Sequence, residues 1–263
     1  MIVENRWSWG RQITLAIVLF LLFNLMSFLF YNAAFIDQAI ADTIFALLAL
    51  GLTVWALKST KVFTHRLTLS RPLLIWGLVC LVALGIVFTF ADVPQHIIMV
   101  FQTHHLLVNT LIALAAAIFE ESICRGLFLS AFLTHAQYNG RSYKLTRSAI
   151  YSSVLFGIFH LVNLFGGHPG AVFQQIFWAF VIGVFLSALR LTTNSLVWPM
   201  LVHFLLDWFP SAATQLDIKE SSWSLILIIF GFLLVVSLVY LVQLDRALQS
   251  QTTSHGKMVS PAH

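Results

Sequence analysis

Apolar runs long enough to cross a membrane recur along the whole chain. Of its 263 residues, 59% are hydrophobic and only 9% are charged, a composition typical of membrane proteins and not of soluble domains of this length. A helix needs roughly 20 apolar residues to cross the hydrocarbon core of a bilayer. The sequence therefore predicts an all-α polytopic membrane protein with eight transmembrane helices, at residues 13–31, 39–57, 73–91, 106–133, 148–165, 172–189, 195–209 and 223–244.

The charges between these spans predict the orientation of the chain. Cytoplasmic loops collect Lys and Arg, and an N-terminus in the cytoplasm leaves Lys219 alone among the loop cations on the outer side. Topology thus explains the net charge of +4, and no nucleic-acid partner is expected. We expect two cytoplasmic termini, a single transmembrane domain over residues 1–248, and a polar, disordered cytoplasmic tail over residues 249–263.

A few ionisable side chains fall inside the predicted spans. Each would cost about 3 kcal/mol at the bilayer centre if it faced lipid, so such groups face one another or a water-filled cavity. Counted along the helices, they lie at similar depths, about 12 to 20 Å from the cytoplasmic ends. The sequence therefore predicts one polar intramembrane chamber that opens towards the cytoplasm and is lined by Glu120, Glu121, Arg125, His160, His203 and Asp207.

Helical spacing assigns these residues to faces. Glu121 and Arg125 are four residues apart, a distance at which side chains on one helical face meet, so an ion pair is expected. Glu120 lies about 100° around the same helix, so it is not part of this ion pair and stays available for another role. His203 and Asp207 repeat the interval of four on the seventh span.

The chemistry that suits such a chamber is the activation of water. A carboxylate made more basic by apolar surroundings acts as a general base, and a neighbouring histidine shares the proton. A second histidine can stabilise the oxyanion of a tetrahedral intermediate. The sequence contains neither HExxH nor GxSxG. No cofactor is expected, and a zinc ion held by Glu120, His160 and His203 is the alternative.

Three fragments together resemble the motifs of one protein family. EESICR (120–125), FGIFH (156–160) and HFLLD (203–207) resemble the EExxxR, FxxxH and HxxxN or HxxxD motifs of the CAAX protease and bacteriocin-processing family, also called CPBP or Abi. The fragments follow one another in the family's order at membrane depth. The resemblance covers residues 106–209, the motif-bearing core.

The resemblance implies an intramembrane glutamate protease related to type II CAAX prenyl endopeptidases, with a peptide or a membrane protein as its substrate. Glu120 and His160 would activate water, Glu121 and Arg125 would support the site, and His203 with Asp207 would form the oxyanion pocket. Asp207 departs from the Asn of eukaryotic members, because a carboxyl group donates a hydrogen bond only when protonated. It would otherwise orient His203.

Bacterial members of this family are associated with peptide processing and with self-immunity to bacteriocins, so the resemblance implies a possible role of this kind. The basic amphipathic start and the lack of targeting signals favour a bacterial plasma membrane. Two other functions stay open: a non-catalytic immunity or scaffold protein, and a proton-coupled transporter, since intramembrane Glu, His and Asp also form proton relays. Inverted repeats and paired broken helices, which are features of many transporters, are not evident in the sequence. The sequence does not indicate an oligomeric state.

Overall fold

The chain is helical nearly throughout. A computed structural model describes residues 2–4, 6–210 and 220–259, with side chains as far as residue 251. Within this part, the only strand-like feature is an isolated bridge between Ile2 and Phe63, so the predicted all-α fold is confirmed. The helices are α1 (Trp9–Leu29), α2 (Phe35–Leu57), α3 (Arg71–Phe90), α4 (Val93–Gln102), α5 (Leu106–Glu121), a π-helix (Ser122–Phe128), α6 (Leu129–Tyr138), α7 (Lys144–Phe159), a 3₁₀-helix (His160–Phe165), α8 (Pro169–Thr193), α9 (Val197–Asp207) and α10 (Trp223–Val259).

Seven helical stretches of the described chain are long and apolar enough to cross a membrane. The seventh predicted span, residues 195–209, is present only as α9, which has 11 residues. At 1.5 Å per residue α9 is about 16 Å long, roughly half the thickness of the hydrocarbon core. The helix there is therefore shorter than predicted, and it carries His203 and Asp207 into the protein.

The fourth predicted span is a continuous but irregular helical stretch. It runs over 33 residues from Leu106 to Tyr138, and the π-helix interrupts it between α5 and α6. The separate helix α4 precedes it. Hydropathy predicts a long helix here but carries no information on the change from α to π geometry.

Helix α8 lies at the centre of the fold. In its most apolar window 61% of the residues are buried, compared with 17% for α1. Gly157 allows α7 to approach α8 closely, because a Cβ atom at that position would lie 2.8 Å from the carbonyl oxygen of Ile176. Helices α7 and α8 are thus packed backbone against backbone at Gly157, three residues before His160.

The loops that carry most of the basic residues meet on one face, the basic face. Asn194 ends α8 in the left-handed conformation, with φ of 56°, and its side chain bonds to the backbone of Val62 and Phe63. Asp245 accepts hydrogen bonds from the first turn of α7. The N-terminal segment pairs with the same loop through Val3. Which side of the membrane this face occupies stays a prediction.

Helix α10 continues to Val259, past residue 248, where the sequence predicts the end of the transmembrane domain. The side chains of residues 252–259 and the whole of residues 260–263 lie outside the described residues. The disorder of the tail over residues 249–263 stays a prediction.

Candidate active site

The first motif lies where α5 gives way to the π-helix. Glu120 and Glu121 are the last two residues of α5, and Arg125 lies within the π-helix. The Arg125 Nη1 atom donates a 2.7 Å hydrogen bond to Glu121 Oε1, and neither side chain is exposed. The predicted ion pair is therefore present. Short π-helical segments within α-helices occur frequently at functional sites.

The π-helix is tied to α7 at the same level. The Ser152 hydroxyl donates a 2.7 Å hydrogen bond to the carbonyl oxygen of Cys124. A π-helix displaces carbonyl groups from the regular α-helical pattern, and a buried carbonyl needs a partner. Ser152 supplies this partner, so its hydrogen bond fixes α7 relative to the π-helix that contains Arg125.

Glu121 also binds the third motif. Its Oε1 atom lies 2.8 Å from His203 Nδ1, and the side chain of His203 is 7% exposed. One carboxylate oxygen thus serves both the guanidinium of Arg125 and the imidazole of His203. The short helix α9 thus places His203 against this carboxylate in the interior of the protein.

The other ring nitrogen of His203 faces two further carboxylates. Its Nε2 atom lies 3.2 Å from Asp207 Oδ2 and 3.6 Å from Glu120 Oε2. The side chains of Glu120 and Asp207 are each 29% exposed, in contrast to the buried Glu121. Glu120 and Asp207 therefore line an accessible side of the site, with His203 between them and the interior.

His160 lies at the junction of α7 and the 3₁₀-helix. Its Nδ1 atom is 2.9 Å from the carbonyl oxygen of Phe156. A carbonyl oxygen only accepts, so Nδ1 carries a proton and donates, and Nε2 is the ring nitrogen left to face the site. His160 is near enough to interact electrostatically with Glu120. The structure thus brings His160 to the edge of the group formed by the other five predicted residues.

Phe156 connects these residues and was missed as a functional candidate. The guanidinium carbon of Arg125 lies 4.4 Å from the centre of its ring. The rings of His160 and His203 pack against it edge-on, with centroid distances of 5.1 and 5.7 Å. The spacing of four between Phe156 and His160 places both on one helical face, but spacing alone does not identify contacts with two other helices.

The end of α9 is tethered to the start of α5. The indole nitrogen of Trp208 donates a 3.1 Å hydrogen bond to the hydroxyl of Thr110, and the Trp208 ring packs against Phe101 and Phe204. Trp208 directly follows Asp207, so this bond fixes the end of the helix that carries the third motif. An aromatic residue near a helix end is usually interpreted as an interfacial anchor, which hides this role.

Residues 102–209 match the family model described as type II CAAX prenyl endopeptidase Rce1-like. This segment is thus similar to that family. All three motifs of the site fall within it, and the family resemblance is confirmed over the matched residues. The similarity supports a relation of this segment to CAAX-type membrane proteases. No curated protein matches the chain, and no solved structure matches it either.

The residues of the Rce1-like segment do not form a metal centre in this arrangement. Among the described residues, no group of three or more His, Cys, Asp or Glu side chains is placed to hold a metal ion. In the zinc alternative of Glu120, His160 and His203, the Nδ1 atom of His160 is bonded to a backbone carbonyl, which leaves Nε2 as the nitrogen that would bind a metal. The expectation that no cofactor is needed stays a prediction, and no reaction step below is assigned to a metal.

Proposed function

We propose that the chain is an intramembrane endopeptidase of the CAAX type, which hydrolyses peptide bonds of a peptide or membrane-protein substrate. One observation carries this proposal: the side chain of Glu120 is 29% exposed, and its buried Oε2 atom, which has no hydrogen-bond partner in the described structure, lies 3.6 Å from the Nε2 atom of the buried His203. A general base and a hydrogen-bond donor therefore lie next to each other, within reach of one scissile carbonyl group.

In the proposed reaction, Glu120 takes a proton from water while the water oxygen bonds to the carbonyl carbon. His160 shares this proton through its free Nε2 nitrogen. The carbonyl π-bond opens to an oxyanion, which accepts a hydrogen bond from His203 Nε2. The C–N bond then breaks, and the proton returns from Glu120 to the leaving amine. One water is consumed, and an acid and an amine are formed.

Glu121, Arg125 and Asp207 prepare His203 for this role. Both ring nitrogens of His203 face carboxylate oxygens, an environment that favours the doubly protonated imidazolium, in which both nitrogens donate. Glu121 fixes the ring through Nδ1, and Arg125 balances the charge of Glu121. The carboxylate of Asp207 accepts a hydrogen bond from His203 Nε2 before the substrate binds. Asp207 therefore orients His203 and does not itself donate a hydrogen bond to the oxyanion.

The decisive experiment compares Glu120→Ala and His160→Ala with the natural chain in a reconstituted peptide-cleavage assay. We expect loss of cleavage in both, while His168→Ala, an exposed histidine outside the site, cleaves normally. Full cleavage by both site variants would exclude water activation by Glu120 and His160. Unchanged cleavage in a strong chelator is expected as well, and its loss would favour the zinc alternative.

A cellular assay separates the enzyme from a non-catalytic immunity or scaffold protein. Bacteriocin resistance is measured in cells that carry the natural chain or the Glu120→Ala variant at equal abundance. Resistance that disappears with cleavage supports a proteolytic role in immunity or processing. Resistance that survives while cleavage is lost supports the scaffold.

A further inference from the structure

A second group of buried polar side chains lies at the basic face, away from the candidate active site. It consists of Arg6, Ser187 and Arg190, here called the arginine cluster. Arg190 is 1% exposed, and its Nη2 atom donates a 2.7 Å hydrogen bond to the carbonyl oxygen of Thr60. Arg6 donates to the adjacent carbonyl of Lys61. Both guanidinium groups therefore converge on one turn of the loop after α2.

Several polar atoms of the cluster have no protein partner. The Nε and Nη1 atoms of Arg190, the Nε atom of Arg6 and the hydroxyl of Ser187 are buried without a hydrogen bond in the described structure. Ser187 precedes Arg190 by three residues on α8, and long helical side chains lean back over the preceding turn. Ser187 and Arg190 therefore lie about one turn apart on the same face of α8. A buried polar group without a hydrogen bond is destabilising.

The cluster also carries uncompensated positive charge. Arg6 and Arg190 are near enough to repel each other, and burial lowers the pKa of Arg6 only to about 10, so it stays charged at neutral pH. Among the described residues, neither arginine forms an ion pair with a carboxylate within 4.0 Å. Glu121 acts on Arg190 at longer range, but its Oε1 atom already serves Arg125 and His203.

We infer that the arginine cluster is a binding site for a small monovalent anion of the size of chloride. The unsatisfied atoms are mostly N–H groups, and guanidinium groups have no acceptor. Water placed among donors would leave its own hydrogens unsatisfied, whereas a halide accepts from every side and balances the charge. The bound anion joins α8 to the loop after α2 and to the N-terminal segment.

The test measures the thermal unfolding of the purified full chain in detergent, with chloride replaced by gluconate at constant ionic strength. Gluconate is too large for a buried site between packed side chains. We expect a higher unfolding temperature in chloride and in bromide, because a ligand that binds only the folded state stabilises it. Equal unfolding temperatures in all three anions would overturn the proposal and indicate ordered water only.

Two matched variants locate the effect. Ser187→Val removes the hydroxyl and should raise the dissociation constant for chloride about tenfold or more. Ser237→Val changes an equally buried serine on α10 and should leave the chloride dependence intact. A Ser187→Val chain that keeps the full chloride dependence would contradict the proposal.

A second measurement holds even if the Ser187 variant fails to fold. Crystals of the natural chain grown in bromide should give an anomalous scattering peak within hydrogen-bond distance of Arg190, and a peak-free map at that position would contradict the site. Neither experiment depends on peptide cleavage, so the anion site and the proposed protease function stand or fall separately.

Discussion

Glu120 and Glu121 are neighbours in sequence but belong to two different regions of the site. The sealed side contains Glu121 and Arg125, which have no exposed side-chain surface. The open side contains Glu120 and Asp207, each with 29% of its side chain exposed. His203 joins the two sides, since its Nδ1 atom bonds to Glu121 and its Nε2 atom faces the two open carboxylates.

The difference between the two sides shows how the end of α5 contributes both to the stability of the fold and to the proposed catalysis. On the sealed side, the Oε1 atom of Glu121 bonds to Arg125 and to His203. Removal of either partner leaves a buried charge without full compensation, which destabilises the folded protein. On the open side, Glu120 has no such fixed partner and is available to a substrate. Substitutions should therefore separate the two sides, with effects on stability on one and on catalysis on the other.

The largest expected effect is that of Glu120→Gln on the open side. The amide cannot take a proton from water, so we expect the cleavage rate to fall about 10³-fold, within the range known for general bases. Stability should change little, because Glu120 Oε2 forms no hydrogen bond within the described chain. Rates from a peptide-cleavage assay and unfolding in detergent measure the two quantities. A rate within about tenfold of the natural chain would remove Glu120 from the mechanism.

The second effect concerns the sealed side. Arg125→Met leaves Glu121 buried without its ion-pair partner, and we expect a loss of about 3–5 kcal/mol in the free energy of unfolding. The double variant Glu121→Gln/Arg125→Met removes both charges and should recover much of this loss, since Gln still accepts from His203. Denaturant unfolding of both proteins in micelles provides the comparison. Equal stability of the single and double variants would contradict a buried ion pair that acts as a unit.

Phe156 lies where the two sides meet, and its replacement should have an intermediate effect. Phe156→Leu keeps most of the apolar volume but removes the ring face over which Arg125 lies, a contact worth roughly 0.5–2 kcal/mol. We expect kcat to fall about tenfold with little change in KM, because Arg125 and both histidines lose their common support.

Phe185→Leu is the matched control for this change, because Phe185 is a phenylalanine of similar burial in the core away from the site. It should lower the stability by a comparable amount without altering kcat. Equal kcat values for the two variants would contradict a specific role of Phe156 in positioning Arg125 and the two histidines.

The smallest expected effect is that of Asp207→Asn. The Asn oxygen can accept from His203 Nε2 as the carboxylate does, so we expect cleavage within about tenfold of the natural rate. The pH dependence of kcat/KM is the informative measurement. If ionisation of Asp207 causes one limb of this pH profile, that limb disappears in the variant. A loss as large as that of Glu120→Gln would show that the carboxylate of Asp207 takes part in proton transfer.

Much of this fold could be predicted because lipid imposes a simple rule on sequence. Apolar runs such as residues 172–189 must be helical to satisfy their backbone groups in the bilayer, and the predicted all-α polytopic fold is confirmed. The family resemblance is confirmed over residues 102–209. The helix predicted over residues 195–209 is shorter in the structure, where it spans Val197–Asp207, because a hydropathy pattern does not fix the residue at which a helix ends.

Hydropathy and helical spacing by themselves determined the class of protein, the ion pair between Glu121 and Arg125 and the residues of the candidate site, because these depend on local periodicity and on the cost of charge in lipid. Only the tertiary structure decided that Glu121 also binds His203, that Phe156 packs against three site residues, and that Arg6 and Arg190 converge on one loop. These contacts join helices far apart in sequence. Their geometry depends on helix packing and on a π-helical segment, neither of which has a periodic signal along the chain.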